Sequence, residues 1–344
     1  MKVIVLFVGV LSINLFSSQD QVESVKAIYG EDNRQDLVDV SDPDLKKYAS
    51  ATAAMISSLK LEKISPSEYK IVANLLGDRS ILTSAGGAKL CEDERFLNQP
   101  QAANCSGFLV SKDLLVTAGH CVTSLANCNE SRWVFDYKVD ELSGKVENVG
   151  IDSIYKCKEI VARELTRSGF SPNDYALIKL DREVKGRTPL RFRQTQTAQL
   201  GDEVVLIGYP SGLPVKVAAG GSVEKVFDTY FEASIDAFGG NSGSAVINER
   251  TGEVEGILVR GREDYSYDFT NSCTRATTFI STTTSFEGVT HITNIEELKE
   301  IEQPVVVDPI DPVIIPEEPE EPVVTTTTVR RCFLFWCWDS EVEI

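Results

Sequence analysis

From about residue 30 to residue 290 the hydrophobic positions come in short runs rather than in a helical rhythm. The stretches FLVSKDLLVTAG (108–119), RWVFDYKVD (132–140), DYALIKLD (174–181), DEVVLIGYP (202–210), KVAAGGSVEKVF (216–227), YFEASID (230–236), SAVIN (244–248) and EVEGILVRG (253–261) are rich in Val, Ile, Leu and aromatic residues. Gly, Pro, Asn or Asp bounds each of them, which is the pattern of β-strands. Many short strands with little 3.6-residue periodicity between them predict an all-β sandwich or barrel. The stretch LKKYASATAAMISSLKLEKI (45–64) reads either as a helix by propensity or as containing the first strand.

Both ends depart from this pattern. Met1-Lys2, the apolar run VIVLFVGVLSINLF (3–16) and the polar SSQDQ after it have the parts of a secretory signal peptide, expected over residues 1–18. Fourteen apolar-rich positions fall short of the roughly 20 that a transmembrane helix needs. After Glu302 proline takes over: residues 303–322 hold six of the chain's 13 prolines, which predicts an extended, solvated arm within a linker over 301–329. The last segment, 330–344, contains RRCFLFWCWDS and reads as a small hairpin closed by Cys332 and Cys337, with a sorting or anchoring signal as the alternative.

Composition narrows the function. Hydrophobic residues at 42% and charged residues at 25% of 344 exclude disorder along the whole chain. The net charge of −18 argues against nucleic acid or an anionic membrane as the main partner. Over 301–344, ten acidic and two basic residues contribute −8 of it, so nearly half of that charge belongs to the tail. Eight cysteines, an even number in a chain expected to be exported, predict disulfides. No C-x-x-C pair occurs and the histidines are not spaced as ligands, so neither a metal nor another cofactor is expected.

Three phrases carry chemistry: LLVTAGHC (114–121), NDYALIKLD (173–181) and FGGNSGSAV (238–246). Each places a His, an Asp or a Ser beside a turn at a strand end. Acyl transfer by serine needs these three groups: a hydroxyl nucleophile, a base of near-neutral pKa, and a carboxylate that fixes the imidazole tautomer. His120, Asp174 and Ser242 stand 54 and 68 residues apart, and only one other histidine, His291, exists to compete for the base. His291, in GVTHITN, reads as structural.

On these phrases residues 27 to 290 resemble the trypsin-like serine proteases of the chymotrypsin fold. The resemblance implies two six-stranded antiparallel β-barrels, about 27–190 and 191–300, within a protease domain of 19–300, followed by a flexible tail. It implies His120 as general base, Asp174 as its carboxylate and Ser242 as nucleophile, with the backbone N–H groups of Gly240 and Ser242 as the oxyanion hole. It also pairs Cys105 with Cys121. Of the three ways to join Cys91, Cys128, Cys157 and Cys273, the favoured one is 128 with 157 and 91 with 273.

GYPSGLP (208–214), WVFDY (133–137) and GNSGSAV resemble the bacterial secreted branch that includes the glutamyl endopeptidases. Asn241 stands where pancreatic-type enzymes keep the aspartate that pairs with a new N-terminus, so that salt bridge cannot form. Asp236, six residues before Ser242, is either the base of a pocket for Lys or Arg side chains or the cap of a strand end. Leu258 stands where the branch's carboxylate-binding histidine would be. Arg260 either neutralises Asp236 or faces solvent, and Val259, Arg260 and Gly261 offer backbone to an extended substrate. The expected protein is thus a secreted, monomeric endopeptidase acting on polypeptides. The alternative is a catalytically silent binding protein on the same scaffold.

Overall fold

The computed structural model describes residues 28–83, 86–166, 172–279, 284–303 and 326–343. The expected signal peptide and residues 304–325 of the proline-rich segment lie outside the described residues. The chain divides into two units, Met1–Pro304 and Val305–Ile344.

In the first unit, the body opens with a three-residue strand, β1 (Arg34–Asp36), and a helix, α1 (Pro43–Ser50). Asp42 caps α1 by accepting from the backbone N–H groups of Asp44 and Leu45, and Pro43 supplies a preset φ at the first helical position. The helix stops at Ala51, and the apolar run TAAMIS becomes strand β2 (Thr52–Ser57). Both readings of 45–64 therefore hold, each for its own half.

Strands β3 (Ala103–Leu109), β4 (Leu114–Thr117), β5 (Ser131–Val134), β6 (Ile154–Tyr155), β7 (Cys157–Thr166) and β8 (Asn173–Leu180) join β2 in one sheet of order β6-β5-β2-β3-β4-β8-β7. Its two edge strands are separated in sequence by Lys156 alone, so the sheet curls until its ends meet at that residue. No ladder joins them, which leaves a half-barrel where a closed six-stranded one was expected. The run 108–119 is likewise two strands: the Ser-Lys-Asp turn at 111–113 reverses the chain, and Val110 N–H donates to Leu114 C=O at 3.0 Å.

The second sheet is closed. Strands β9 (Glu203–Gly208), β10 (Lys216–Val226), β11 (Tyr230–Ala233), β12 (Ala245–Asn248), β13 (Val254–Arg260) and β14 (Glu287–His291) run β9-β12-β13-β14-β11-β10, and β10 pairs back on β9. The fold is a chymotrypsin-like double barrel. β1 adds to β10 with Asp36 opposite Lys216, and Ile28–Tyr29 pairs with Thr278–Phe279. Residues 28–36 thus pack on the second barrel, whereas the sequence placed them with the first.

Phe231, Leu258, Val246 and Val289 fill the second barrel. A larger core runs from the first sheet, through Trp133, Phe108 and Leu177, to Val205, Ile207 and Ile257 of the second. Tyr137 and Tyr209 stack across that junction at 5.8 Å. A continuous core fixes the two halves relative to each other, so groups at their junction are held to packing precision. Disulfides join Cys91 to Cys273, Cys105 to Cys121 and Cys128 to Cys157.

The second unit contains a hairpin of β15 (Thr326–Phe333) and β16 (Trp336–Glu343), bridged by a disulfide between the directly opposed Cys332 and Cys337. Among the described residues, no helix is long and apolar enough to cross a membrane.

Candidate active site

His120 sits in the turn that follows β4, and Asp174 is the second residue of β8, the strand paired with β4. Strand pairing therefore brings two residues 54 positions apart to one place. His120 Nδ1 lies 2.7 Å from Asp174 Oδ2, and Asp174 Oδ1 accepts from the His120 backbone N–H at 3.0 Å. A carboxylate gripping ring and backbone together fixes both the ring plane and the tautomer with the proton on Nδ1. Asp174 is buried, whereas the His120 ring stays partly exposed.

Gly119 makes this approach possible. A Cβ there would stand 2.2 Å from Glu164 C=O and 2.7 Å from Tyr175 C=O. Arg163, on β7, donates through Nε to Gly119 C=O at 2.8 Å and holds the turn from the other side. The disulfide of Cys105 with Cys121 ties β3 to the residue after His120.

Ser242 belongs to the second barrel, in the turn before β12. Its C=O accepts from Ser106 N–H at 2.8 Å, and Gly243 N–H donates to Leu258 C=O at 2.7 Å, so the turn is wedged between β3 and β13. Gly243, at φ +90°, has no room for a Cβ, which would stand 2.1 Å from Ser106 C=O. Among the described residues no hydrogen bond joins Ser242 Oγ to His120. Catalytic contacts of this kind are commonly long before substrate binds and tighten in the complex.

A buried hydroxyl helps to fix the loop before Ser242. Ser106 Oγ accepts from Tyr209 N–H at 3.1 Å and donates to Gly240 C=O at 2.8 Å. Asn241 N–H donates to Phe238 C=O at 2.9 Å, so the peptide between Gly240 and Asn241 is held at both ends. Gly240 has φ +99°, and a Cβ on it would meet Tyr209 C=O at 2.4 Å. Among the described residues, the N–H groups of Gly240 and Ser242 donate to no protein acceptor, and both residues are half-buried. Two unspent donors on a rigid turn beside Ser242 are what a developing oxyanion needs.

A cleft of about 280 Å³ adjoins Ser242, lined on one side by Ala237–Gly239 and on the other by Leu258–Arg262, with Asp264 and Glu287 completing it. Val259, Arg260 and Gly261, which the sequence offered as backbone for an extended substrate, thus line the cleft. Asp236 does not line this cleft. Its two carboxylate oxygens accept from Tyr29 N–H at 2.8 Å and Asn33 N–H at 2.7 Å, so it anchors the N-terminal segment. Burial pushes its carboxyl up to about 6, against the pull of those two donors. Arg260 does not neutralise it: the guanidinium lies over the Tyr230 ring at 4.6 Å.

Two acids reach the cleft, Asp264 and Glu287, and Glu287 is fully buried. Tyr29 Oη donates to its Oε1 at 3.1 Å, while Oε2 has no partner. Burial drives this carboxyl up to about 8, and Asp264, whose Oδ2 accepts from Gly239 N–H at 2.7 Å, up to about 6. Sequence reasoning missed Glu287 because it lies 45 residues beyond Ser242 with no motif around it. It also missed Arg34, whose guanidinium pairs with Asp32 and sits 4.0 Å from the Phe238 ring centroid, bracing one wall of the cleft. His291 lies in the second barrel, fully buried, with Nε2 against Phe227 C=O at 3.0 Å, and burial holds its ring below the usual value.

The ionisation of Glu287 makes a stability prediction. In the unfolded chain its carboxyl titrates near 4.5, in the fold near 8, so the native state binds more protons between those values and stability falls as pH rises through them. Glu287→Gln removes this effect. The variant's Tm, measured by calorimetry, should exceed the native protein's by a margin that grows from pH 5 to pH 8, corresponding to a few kcal/mol (~1.4 kcal/mol per pKa unit). A margin independent of pH would contradict the assignment.

Residues 105–257 match the family model of the trypsin-like peptidase domain. Among curated proteins no relative is found. Solved structures similar to this chain include a Glu endopeptidase in complex with MPD (17% identity, covering 79% of this chain and 96% of that one, TM-score 0.40). They also include the Rv3671c protease of M. tuberculosis in its active form (14%, 77% and 88%, 0.40) and the Vibrio cholerae VesB protease (12%, 77% and 65%, 0.44). The likenesses are distant, and the family match bears the assignment. That match spans His120, Asp174 and Ser242. Residues 105–257 are thus similar to a trypsin-like peptidase domain, on a fold that is a chymotrypsin-like double barrel.

Proposed function

We propose that the protein is a secreted serine endopeptidase that cleaves polypeptides through an acyl-enzyme. The grip of Asp174 on His120, beside the unspent N–H groups of Gly240 and Ser242, is the observation that carries this reading. His120 Nε2 takes the proton of Ser242 Oγ as the oxygen attacks the scissile carbonyl. The carbonyl oxygen, gaining negative charge, is met by the two backbone donors. The imidazolium, stabilised by Asp174, returns its proton to the leaving amine. Water then repeats the cycle on the acyl-enzyme. Secretion is supported by the four disulfides, which persist in oxidising compartments.

Specificity follows the cleft. Asp236 is committed to the N-terminal segment, which leaves Glu287, whose Oε2 has no partner, and Asp264 as the acids that line the cleft beside a substrate side chain. Digestion of a mixed peptide library, with mass spectrometry of the new ends, tests both points. The native protein should cut, and Glu287→Gln should change which residue precedes the cut. Asp236→Ala should lower Tm and leave that residue unchanged. An uncut library would favour the silent binding protein, and a changed cut site in Asp236→Ala would restore Asp236 as a pocket residue.

A further inference from the structure

Side chains along an extended strand alternate between two faces, and β13 with the residue after it follows this rule. Gly261 faces the acid of the cleft: a Cβ on it would stand 2.5 Å from Glu287 Oε2. Arg260, one residue earlier, projects from the other face. It pairs with Gly288 of β14 and its side chain runs across that glycine, where a Cβ would stand 2.9 Å from Arg260 Nε. The guanidinium then rests over the Tyr230 ring, which is itself stacked on Phe227 at 4.5 Å between centroids.

This guanidinium differs from others packed into the body. Arg34, Arg187 and Arg193 each hold a carboxylate. Among the described residues no carboxylate pairs with Arg260 and none of its nitrogens donates to a protein acceptor, although Nη2 is buried. A buried donor without an acceptor costs free energy, and an arriving anion recovers it. Stacking on a ring fixes the guanidinium plane while its N–H groups point outward within that plane, and Arg260 keeps part of its surface exposed.

A substrate laid along Val259–Gly261 as an added strand has the same alternation. With one substrate side chain in the cleft beside Gly261, those one and three places before it lie on the Arg260 face. We propose that Arg260 is a specificity-determining residue whose guanidinium selects an acidic side chain, Asp or Glu, at those places. The inference rests on the peptidase reading and adds a charged subsite to the one at Glu287. A carboxylate takes two parallel N–H···O bonds from a guanidinium, whereas an amide has a single acceptor oxygen.

Kinetics on three peptides test it. They share the sequence cut best in the mixed library and differ only at the two places named, which are both Glu, both Gln or both Lys. For the native protein kcat/KM should be about 5-fold higher with Glu than with Gln, the size of a partly exposed ion pair, with Lys lowest. Added salt should shrink that ratio. Arg260→Gln should abolish the preference, Arg260→Lys should keep Glu the best of the three, and Arg260→Glu should make Lys the best. Each ratio is internal to one variant, so a general loss of activity or Tm does not imitate it. Equal rates with Glu and Gln in the native protein, or a preference that survives in Arg260→Gln, would overturn the proposal and leave the peptidase reading in place. No cleavage of any peptide, together with no labelling by a fluorophosphonate, would overturn both.

Discussion

Replacing Ser242 by Ala is expected to lower kcat on a cleaved peptide by about 10⁶-fold, the loss found where a serine nucleophile is removed from a working triad. Oγ is the only atom deleted. The contacts that shape the turn are backbone ones, Ser106 N–H to Ser242 C=O and Gly243 N–H to Leu258 C=O, and both survive in the variant. Tm should therefore stay within about 0.5 kcal/mol equivalent of the native value, as for a substitution that breaks no buried network. Peptide binding should persist, because the cleft walls and the donors of Gly240 and Ser242 remain. A steady-state assay with a calorimetric control separates these effects. A variant that had lost both activity and Tm would not support a nucleophile, and one that kept its activity would contradict it.

The second large effect belongs to Asp174. In Asp174→Asn the amide can hold His120 Nδ1 only by donating to it, which moves the ring proton to Nε2, the nitrogen that has to accept from Ser242. The expected loss in kcat is about 10⁴-fold at neutral pH. The backbone contact sets this orientation: the amide oxygen takes the place of Oδ1, which accepts from His120 N–H at 3.0 Å, and the amide nitrogen is left facing Nδ1. If the tautomer is the cause, reaction with a fluorophosphonate should slow to the same degree as peptide cleavage, because both require the proton of Ser242 to leave. Slowed cleavage with undiminished labelling would place the role of Asp174 elsewhere.

The groups brought together at His120 were legible because each lies in a local phrase with a strand on one side and a turn on the other. The reading of 174–181 succeeded for a physical reason: β8 is paired on both sides and buried along nearly its whole length, so its sequence is a continuous apolar run. The longest strand of the first sheet, Cys157–Thr166, was missed for the opposite reason. It is an edge strand with exposed or half-buried positions after its first residue, so CKEIVARELT carries charges on both faces and shows no period of two.

Long-range contacts were the other blind spot. Asp236 looked like a pocket base from its distance to Ser242, but its partners are backbone N–H groups at Tyr29 and Asn33, more than 200 residues away in sequence. No local pattern marks such a pairing. Ser106 is similar: within NCSGFLV it reads as part of a strand, and its hydroxyl acquires importance only when Tyr209 and Gly240 arrive on either side. The edges of the half-barrel were invisible for the same reason, since whether two strands ladder across Lys156 depends on how the whole sheet curls.

The central claim, that Ser242 is a nucleophile activated by His120, is tested most directly by exposing the purified protein to a fluorophosphonate and mapping the adduct by mass spectrometry. One phosphonylated residue is predicted, Ser242, with labelling lost in Ser242→Ala and in His120→Ala. An unlabelled native protein, or an adduct on any other residue, would contradict the account.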